Sequence, residues 1–277
     1  MSAPVQSEAA PRSAVAPLGC LLLHGLTSSL ETVSGLAPQM EARGLPYRLP
    51  TLRGHGTVAE DLRGVSWHHW YEDAERALDD LLTECERAVV IGLSMGALLA
   101  LHLAAERPAA VAGVVAIAPA IRPFIPAAAL LPLLARTRIA APLDARRAFE
   151  DPDCAAGCTN YTSAPLSAVY SLVRYGAVVE RRLPEVAAPL LVLYTPRDRV
   201  VRPEGARLVY EAAGTPPAEK RLLAFGECGH EMLLDRQRDE VIAAIGAFVD
   251  GLREGAAPPV AVASAGRAAG LPGDGQG

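Results

Sequence analysis

The sequence predicts an α/β fold, a mostly parallel central sheet with helices on both faces and a small helical cap insertion. Three observations carry that expectation. Continuous apolar runs at Leu18 to Leu23, Val89 to Leu93, Gly113 to Ala118 and Leu190 to Thr195 have the length and composition of strands buried on both faces. Helical stretches alternate with them, which is the pattern of a parallel sheet. Between Pro119 and Ala188 the alternation stops, and Pro123, Pro126, Pro132, Pro142, Pro152 and Pro165 interrupt apolar helical segments without any strand signal. That stretch is too long for an ordinary loop. The expected division is therefore a core of residues 18–118 and 189–253, a cap of 119–188, a flexible segment of 1–17 and a disordered tail of 254–277.

In chain order, the first strand ends in His24-Gly25-Leu26-Thr27-Ser28-Ser29, a turn composition, and a helix is expected from Thr32 to Arg43, closed by Gly44. Leu45 to Leu49 reads as a second strand, and Arg53-Gly54-His55-Gly56 as a loop. Ser66 can cap a long helix whose apolar residues Trp67, Trp70, Tyr71, Ala74, Ala77, Leu78, Leu81, Leu82 and Cys85 recur at spacings of three and four. Met95 to Glu106 is a helix apolar nearly all round, as a helix covered on both sides should be. After the insertion come a helix from Pro203 to Ala213, a strand from Lys220 to Phe225 and a helix from Arg236 to Leu252.

Composition narrows the function. The net charge is −5 with no basic stripe, which argues against a nucleic-acid partner. Five cysteines, an odd number, make no disulfide framework and read as buried thiols. Cys154 and Cys158 lack zinc-like neighbours, and the adjacent His68 and His69 point different ways on a helix, so no metal is expected. No signal-peptide pattern and no apolar run of membrane-spanning length is present, so the expected location is the cytoplasm, with at most transient contact with a lipid surface.

One stretch carries chemistry: Gly92-Leu93-Ser94-Met95-Gly96, at the junction of a buried strand and a helix. A serine there sits at the apex of a very sharp turn, which requires small residues two before and two after it. Gly92 and Gly96 meet that requirement. A serine hydroxyl needs a base, and the base needs an acid to hold its tautomer. In open parallel sheets such groups gather at the carboxyl ends of strands. His230, in Gly226-Glu227-Cys228-Gly229-His230 after the last strand, is the expected base. His102 lies too far along the helix after Ser94, and His24 and His55 read as loop-bracing hydrogen-bond groups. Asp198, in the turn after the Leu190 strand, is the expected acid. The loop Pro119-Ala120-Ile121-Arg122 has no acid, and Asp235 sits where a helix N-cap belongs. The expected oxyanion donors are the backbone N–H groups of Met95 and Leu26, the latter reached through Gly25.

With these residues in place the chain resembles the α/β-hydrolase superfamily, and within it bacterial carboxylesterases and monoacylglycerol lipases. The shared motifs are Leu-Leu-His-Gly-Leu-Thr-Ser at 22–28, Leu-Arg-Gly-His-Gly at 52–56, Gly-Leu-Ser-Met-Gly at 92–96, Asp-Arg-Val-Val at 198–201 and Gly-His-Glu-Met at 229–232. Relatives often carry glycine where Ala97 stands. The resemblance implies a cofactor-free serine esterase with Ser94, Asp198 and His230 as triad and Leu26 and Met95 at the oxyanion hole. The aliphatic stretch Phe124 to Leu143 reads first as cap core and second as a wall for an apolar acyl chain of a small ester substrate. A thioesterase or acyltransferase would use the same triad. A carbon–carbon bond hydrolase and a non-catalytic receptor on this fold are the remaining readings.

Overall fold

The computed structural model describes residues 15–125 and 128–255. The expected flexible segment and tail lie almost wholly outside these residues. Where they overlap, Ala16 and Pro17 already belong to the first strand, and Glu254 caps the last helix.

The elements follow the expected alternation. They begin with β1 (Ala16–Leu23), α1 (Glu31–Ser34), α2 (Ala37–Ala42) and β2 (Tyr47–Arg48). Next come α3 (Trp67–Leu81), β3 (Cys85–Leu93), α4 (Met95–Glu106) and β4 (Val111–Ile117). The inserted stretch holds α5 (Leu131–Leu134), β5 (Ala140–Pro142), α6 (Pro152–Ala156), β6 (Ser163–Pro165) and α7 (Leu166–Arg182). The chain ends with β7 (Leu190–Tyr194), α8 (Glu204–Ala212), β8 (Lys220–Ala224) and α9 (Arg238–Arg253).

Six strands form one parallel sheet in the order β2-β1-β3-β4-β7-β8. Its register aligns Leu23 with Gly92, Gly92 with Ala116, Ile117 with Leu193 and Tyr194 with Ala224. The carboxyl ends of the central strands therefore finish on one rim. After β1 the chain moves outward to β2 and then returns to the other side of β1 as β3. The loops after β1 and β3 thus diverge at the switch point of the sheet, where open α/β folds form their clefts.

Packing explains the elements. On α3, Trp70, Ala74, Leu78 and Leu81 are buried, and the His69 side chain accepts the Ser66 N–H at 3.0 Å, the half of a capping box usually supplied by Glu or Gln. Residues Met95 to Ala104 of α4 are all buried, between the sheet and α7. Its leucines each contribute about 1.5–3 kcal/mol by leaving water. Gly113 leaves room for α9, since a Cβ there would lie 2.6 Å from Leu252 Cδ1.

Five expectations need correction. Cys85, expected to continue the helix that starts at Trp67, opens β3 instead, because that helix ends at Leu81. The helix from Thr32 to Arg43 is two short helices, because Pro38 lacks an N–H and fits only in the first turn of a new one. The second strand shrinks from Leu45–Leu49 to Tyr47–Arg48 at the sheet edge. The inserted stretch is not strandless: β5 and β6 pair antiparallel, with Ala141 opposite Ala164. Nor is its aliphatic run chiefly core, for Phe124, Leu130, Leu133, Ile139 and Leu143 are exposed while Leu131 is buried.

Candidate active site

The turn between β3 and α4 has the strain its sequence demands. Ser94 lies at φ 58° and ψ −109°, a region L-residues avoid at a cost of about 1–3 kcal/mol. Surrounding backbone holds it there. The Ser94 N–H donates to Ile117 O at 2.8 Å, and Ser94 O accepts from the N–H groups of Ala97 and Ala120, both at 3.2 Å. A Cβ at Gly92 would lie 2.1 Å from Gly96 O, and one at Gly96 would lie 2.1 Å from Leu23 O. Those distances forbid any side chain at either position, so both glycines are steric necessities of the turn.

His230 and Asp198 meet on the same rim. The His230 Nδ1–H donates to Asp198 Oδ2 at 2.7 Å, and both side chains are nearly inaccessible to solvent. A carboxylate only accepts, so this contact fixes the proton on Nδ1 and leaves Nε2 as the basic nitrogen. Burial pulls the His230 pKa down, but the Asp198 charge and the hydrogen bond outweigh it and hold the pKa above the ordinary histidine value. The other Asp198 oxygen, Oδ1, accepts the N–H groups of Val200 at 2.8 Å and Val201 at 2.9 Å. Turn-capping and the contact with His230 are thus served by the two oxygens of one carboxylate. Thr195 Oγ1 donates to Cys228 O at 2.7 Å and ties the Asp198 turn to the His230 loop. Among the described residues, no hydrogen bond joins the Ser94 hydroxyl to His230.

The loop after β1 runs beside the serine. A Cβ on Gly25 would come within 3.3 Å of Ser94 Cβ. The Leu26 and Met95 N–H groups donate to no other backbone group among the described residues. The neighbouring Thr27 N–H is taken by His55 Nε2 at 3.1 Å, and Thr27 itself has a positive φ of 64°. His24 braces the same loop: its Nε2 accepts the Leu52 N–H at 3.2 Å, while Nδ1–H donates to Gly25 O at 2.9 Å. Burial lowers His24 to about 3 and His55 to about 4, so both act as neutral braces at pH 7. His102 points away from Ser94, to the Tyr175 hydroxyl at 3.1 Å.

Two features were not read from the sequence. Asp235 is not a helix N-cap, a position held by Gln237. It is a buried acceptor for the N–H groups of Gly229 at 2.6 Å, Glu150 at 2.7 Å, Arg236 at 2.9 Å and Asp151 at 3.0 Å. It therefore ties the His230 loop to residues of the insertion. The second feature is the segment Thr159-Asn160-Tyr161, which lies against the loop after β1, with the Tyr161 N–H donating to Thr27 O at 2.9 Å. No local pattern in an Ala/Pro-rich insertion marks such contacts, since their partners lie more than eighty residues away. Three of the five cysteines are buried as expected, but Cys154 and Cys158 are only half-buried, and all five are free. Among the described residues, no group of three or more His, Cys, Asp or Glu is gathered as a metal site would require, and no helix is long and apolar enough to cross a membrane.

Comparison with known proteins agrees with the architecture. The family model described as serine aminopeptidase, S33, matches residues 18–237. A thermostable monoacylglycerol lipase of Bacillus sp. (strain H-257) is 30% identical over 86% of this chain and 93% of its own. A carboxylesterase of Bacillus subtilis (strain 168) is 23% identical over 84% of this chain and 92% of its own. A solved structure of the metagenome-derived lipolytic enzymes LipS and LipT superposes with a TM-score of 0.77 at 28% identity, covering 87% of this chain and 96% of that one. Ser94 falls within the matched region, on the strained turn where the motifs place it. The chain belongs to the serine aminopeptidase S33 family of α/β-hydrolases.

Proposed function

We propose that this protein is a carboxylic ester hydrolase, of the monoacylglycerol lipase and carboxylesterase kind, that works through an acyl-enzyme on Ser94. The observation that carries the reading is the buried 2.7 Å contact of His230 Nδ1 with Asp198, which leaves Nε2 as a base on the rim where Ser94 sits. Ser94 Oγ attacks the ester carbonyl as His230 Nε2 takes its proton. The Leu26 and Met95 N–H groups stabilise the oxyanion, an effect worth on the order of 10²–10³ in rate per donor. Asp198 holds the imidazole and stabilises its cationic form. His230 then gives the proton to the departing alcohol, and water repeats the sequence to release the acid.

Residues 119–188 act, in this reading, as the cap over the serine, and the exposed Leu130, Leu133, Ile139 and Leu143 favour an apolar acyl chain in the substrate. The name of the Bacillus sp. relative supports a monoacylglycerol as substrate. The test is a series of p-nitrophenyl esters from acetate to palmitate, monoacylglycerols and acyl-CoA thioesters on the purified protein. Turnover of medium-chain esters and monoacylglycerols, absent in Ser94→Ala, is expected. Preference for acyl-CoA would make it a thioesterase, and retained turnover in Ser94→Ala would remove the serine from its role.

A further inference from the structure

Glu231 follows the proposed base directly in the chain and has no place in the mechanism above. Its carboxyl is buried, Oε2 has no partner at ordinary hydrogen-bond geometry among the described residues, and the Ser28 side chain lies beside the carboxyl. Burying a carboxyl is unfavourable unless its contacts compensate. Burial holds its pKa above the ordinary glutamate range. The contacts it does make are specific. The Glu231 N–H donates to Ala148 O at 2.9 Å, and Oε1 accepts Nδ2–H of Asn160 at 2.8 Å. The other end of the same amide, Asn160 Oδ1, accepts the Ser29 N–H at 3.2 Å. That N–H fixes the orientation of the amide, because only the oxygen can receive it.

A continuous relay therefore runs from the loop after β1, through one side chain of the insertion, to the residue beside His230. The neighbours of Asn160 anchor the same junction. Tyr161 donates its N–H to Thr27 O at 2.9 Å, its hydroxyl donates to Gly54 O at 3.2 Å, and that hydroxyl accepts the Thr57 N–H at 3.0 Å. The Ser29 hydroxyl pairs with Thr159 Oγ1 at 2.8 Å.

We infer that Asn160 and Glu231 are positioning residues for ester hydrolysis, and that their hydrogen bond sets the spacing between the loop carrying the Leu26 N–H and the loop carrying His230. This rests on the proposed function. The two loops come from opposite ends of the chain, and the oxyanion donor and the base must act on one carbonyl at the same time. A misplacement of about 1 Å between such groups costs on the order of 10²-fold in rate. The insertion thus contributes to the chemistry as well as covering it.

The test reverses the bond. Asn160→Asp keeps the oxygen that accepts the Ser29 N–H but replaces the donor to Glu231 with a second carboxylate oxygen. Adding Glu231→Gln restores a donor from the other side. Turnover of p-nitrophenyl butyrate is measured at pH 8.5 per active site, counted by fluorophosphonate titration, with the affinity for an alkyl boronic acid as a probe of the tetrahedral oxyanion. Asn160→Asp is expected to lower kcat about tenfold or more with KM within about twofold, and to weaken boronate binding in parallel. The double variant is expected to recover to within about threefold. A single variant with unchanged kcat per titrated site, or a double variant that recovers nothing, overturns the inference. A single variant too unstable to purify leaves the double variant to decide, because restored folding without restored kcat would show a purely structural bond. Wild-type protein that takes no fluorophosphonate label would instead refute the proposed function itself.

Discussion

Gly96→Ala isolates the geometry of the serine turn from its chemistry, since it leaves Ser94, Asp198 and His230 untouched. The added methyl would lie 2.1 Å from Leu23 O, 2.7 Å from Leu23 C and 2.9 Å from His24 O, all of them main-chain atoms. An ordinary carbon–oxygen contact is about 3.3 Å, so the strand end and the turn must separate by about 1 Å. Leu23 and His24 lead directly into Gly25 and Leu26, so the displacement falls on the proposed oxyanion donor. Misplacement of that size costs on the order of 10²-fold in kcat. Overpacking also costs about 1–3 kcal/mol of stability, or roughly 2–10 °C in Tm for a chain of this size. The assay is kcat on p-nitrophenyl butyrate alongside thermal unfolding by circular dichroism. Gly35→Ala is the control: its backbone is helical at φ −59°, and its Cβ would meet only Ile242 Cδ1 at 3.9 Å. Wild-type kcat in Gly96→Ala would refute the idea that close approach of β1 to the elbow sets the oxyanion hole.

Other outcomes follow from the same contacts. Because Asp198 holds the His230 pKa above its ordinary value, the base stays protonated until the pH passes that raised value, so kcat/KM rises with pH and levels off only once that value is passed. The same pair stabilises the fold most below pH ~6.5, and its contribution fades as pH rises through the folded pKa. Asp198→Asn removes the cause and leaves burial, so the acidic limb of the profile moves to lower pH while kcat falls on the order of 10⁴-fold. A limb that stays in place would contradict the assignment of His230. Asp235→Ala strands the N–H groups of Gly229 and Glu150 and is expected to cost about 2–4 kcal/mol, or roughly 5–15 °C in Tm. An unchanged Tm would mean that these bonds do not hold the His230 loop.

What the sequence made legible is what backbone physics constrains locally. The sharp turn at Ser94 could be read because only residues without a Cβ fit at Gly92 and Gly96, and because an apolar run from Ala88 to Leu93 and a helix apolar nearly all round flank it. His24 and His55 could be read as braces from their turn-rich surroundings. The short strands β5 and β6 were hidden, since three residues with prolines at Pro142 and Pro165 carry no period to detect. Asp235 was misread for a different reason. Its position before α9 fits a local cap, while two of its partners, Glu150 and Asp151, lie 85 and 84 residues away. Asn160 and Glu231 belong to the same class, being polar groups whose meaning lies in partners that only tertiary structure brings together.

The central claim is that His230 activates Ser94 for covalent chemistry. It is tested most directly by the rate of fluorophosphonate labelling, with the modified residue mapped by mass spectrometry, in wild-type protein and in His230→Ala. The account predicts a single adduct on Ser94 that forms at least about 10²-fold more slowly without the imidazole. An adduct on another residue, or equal rates in the two proteins, would contradict it.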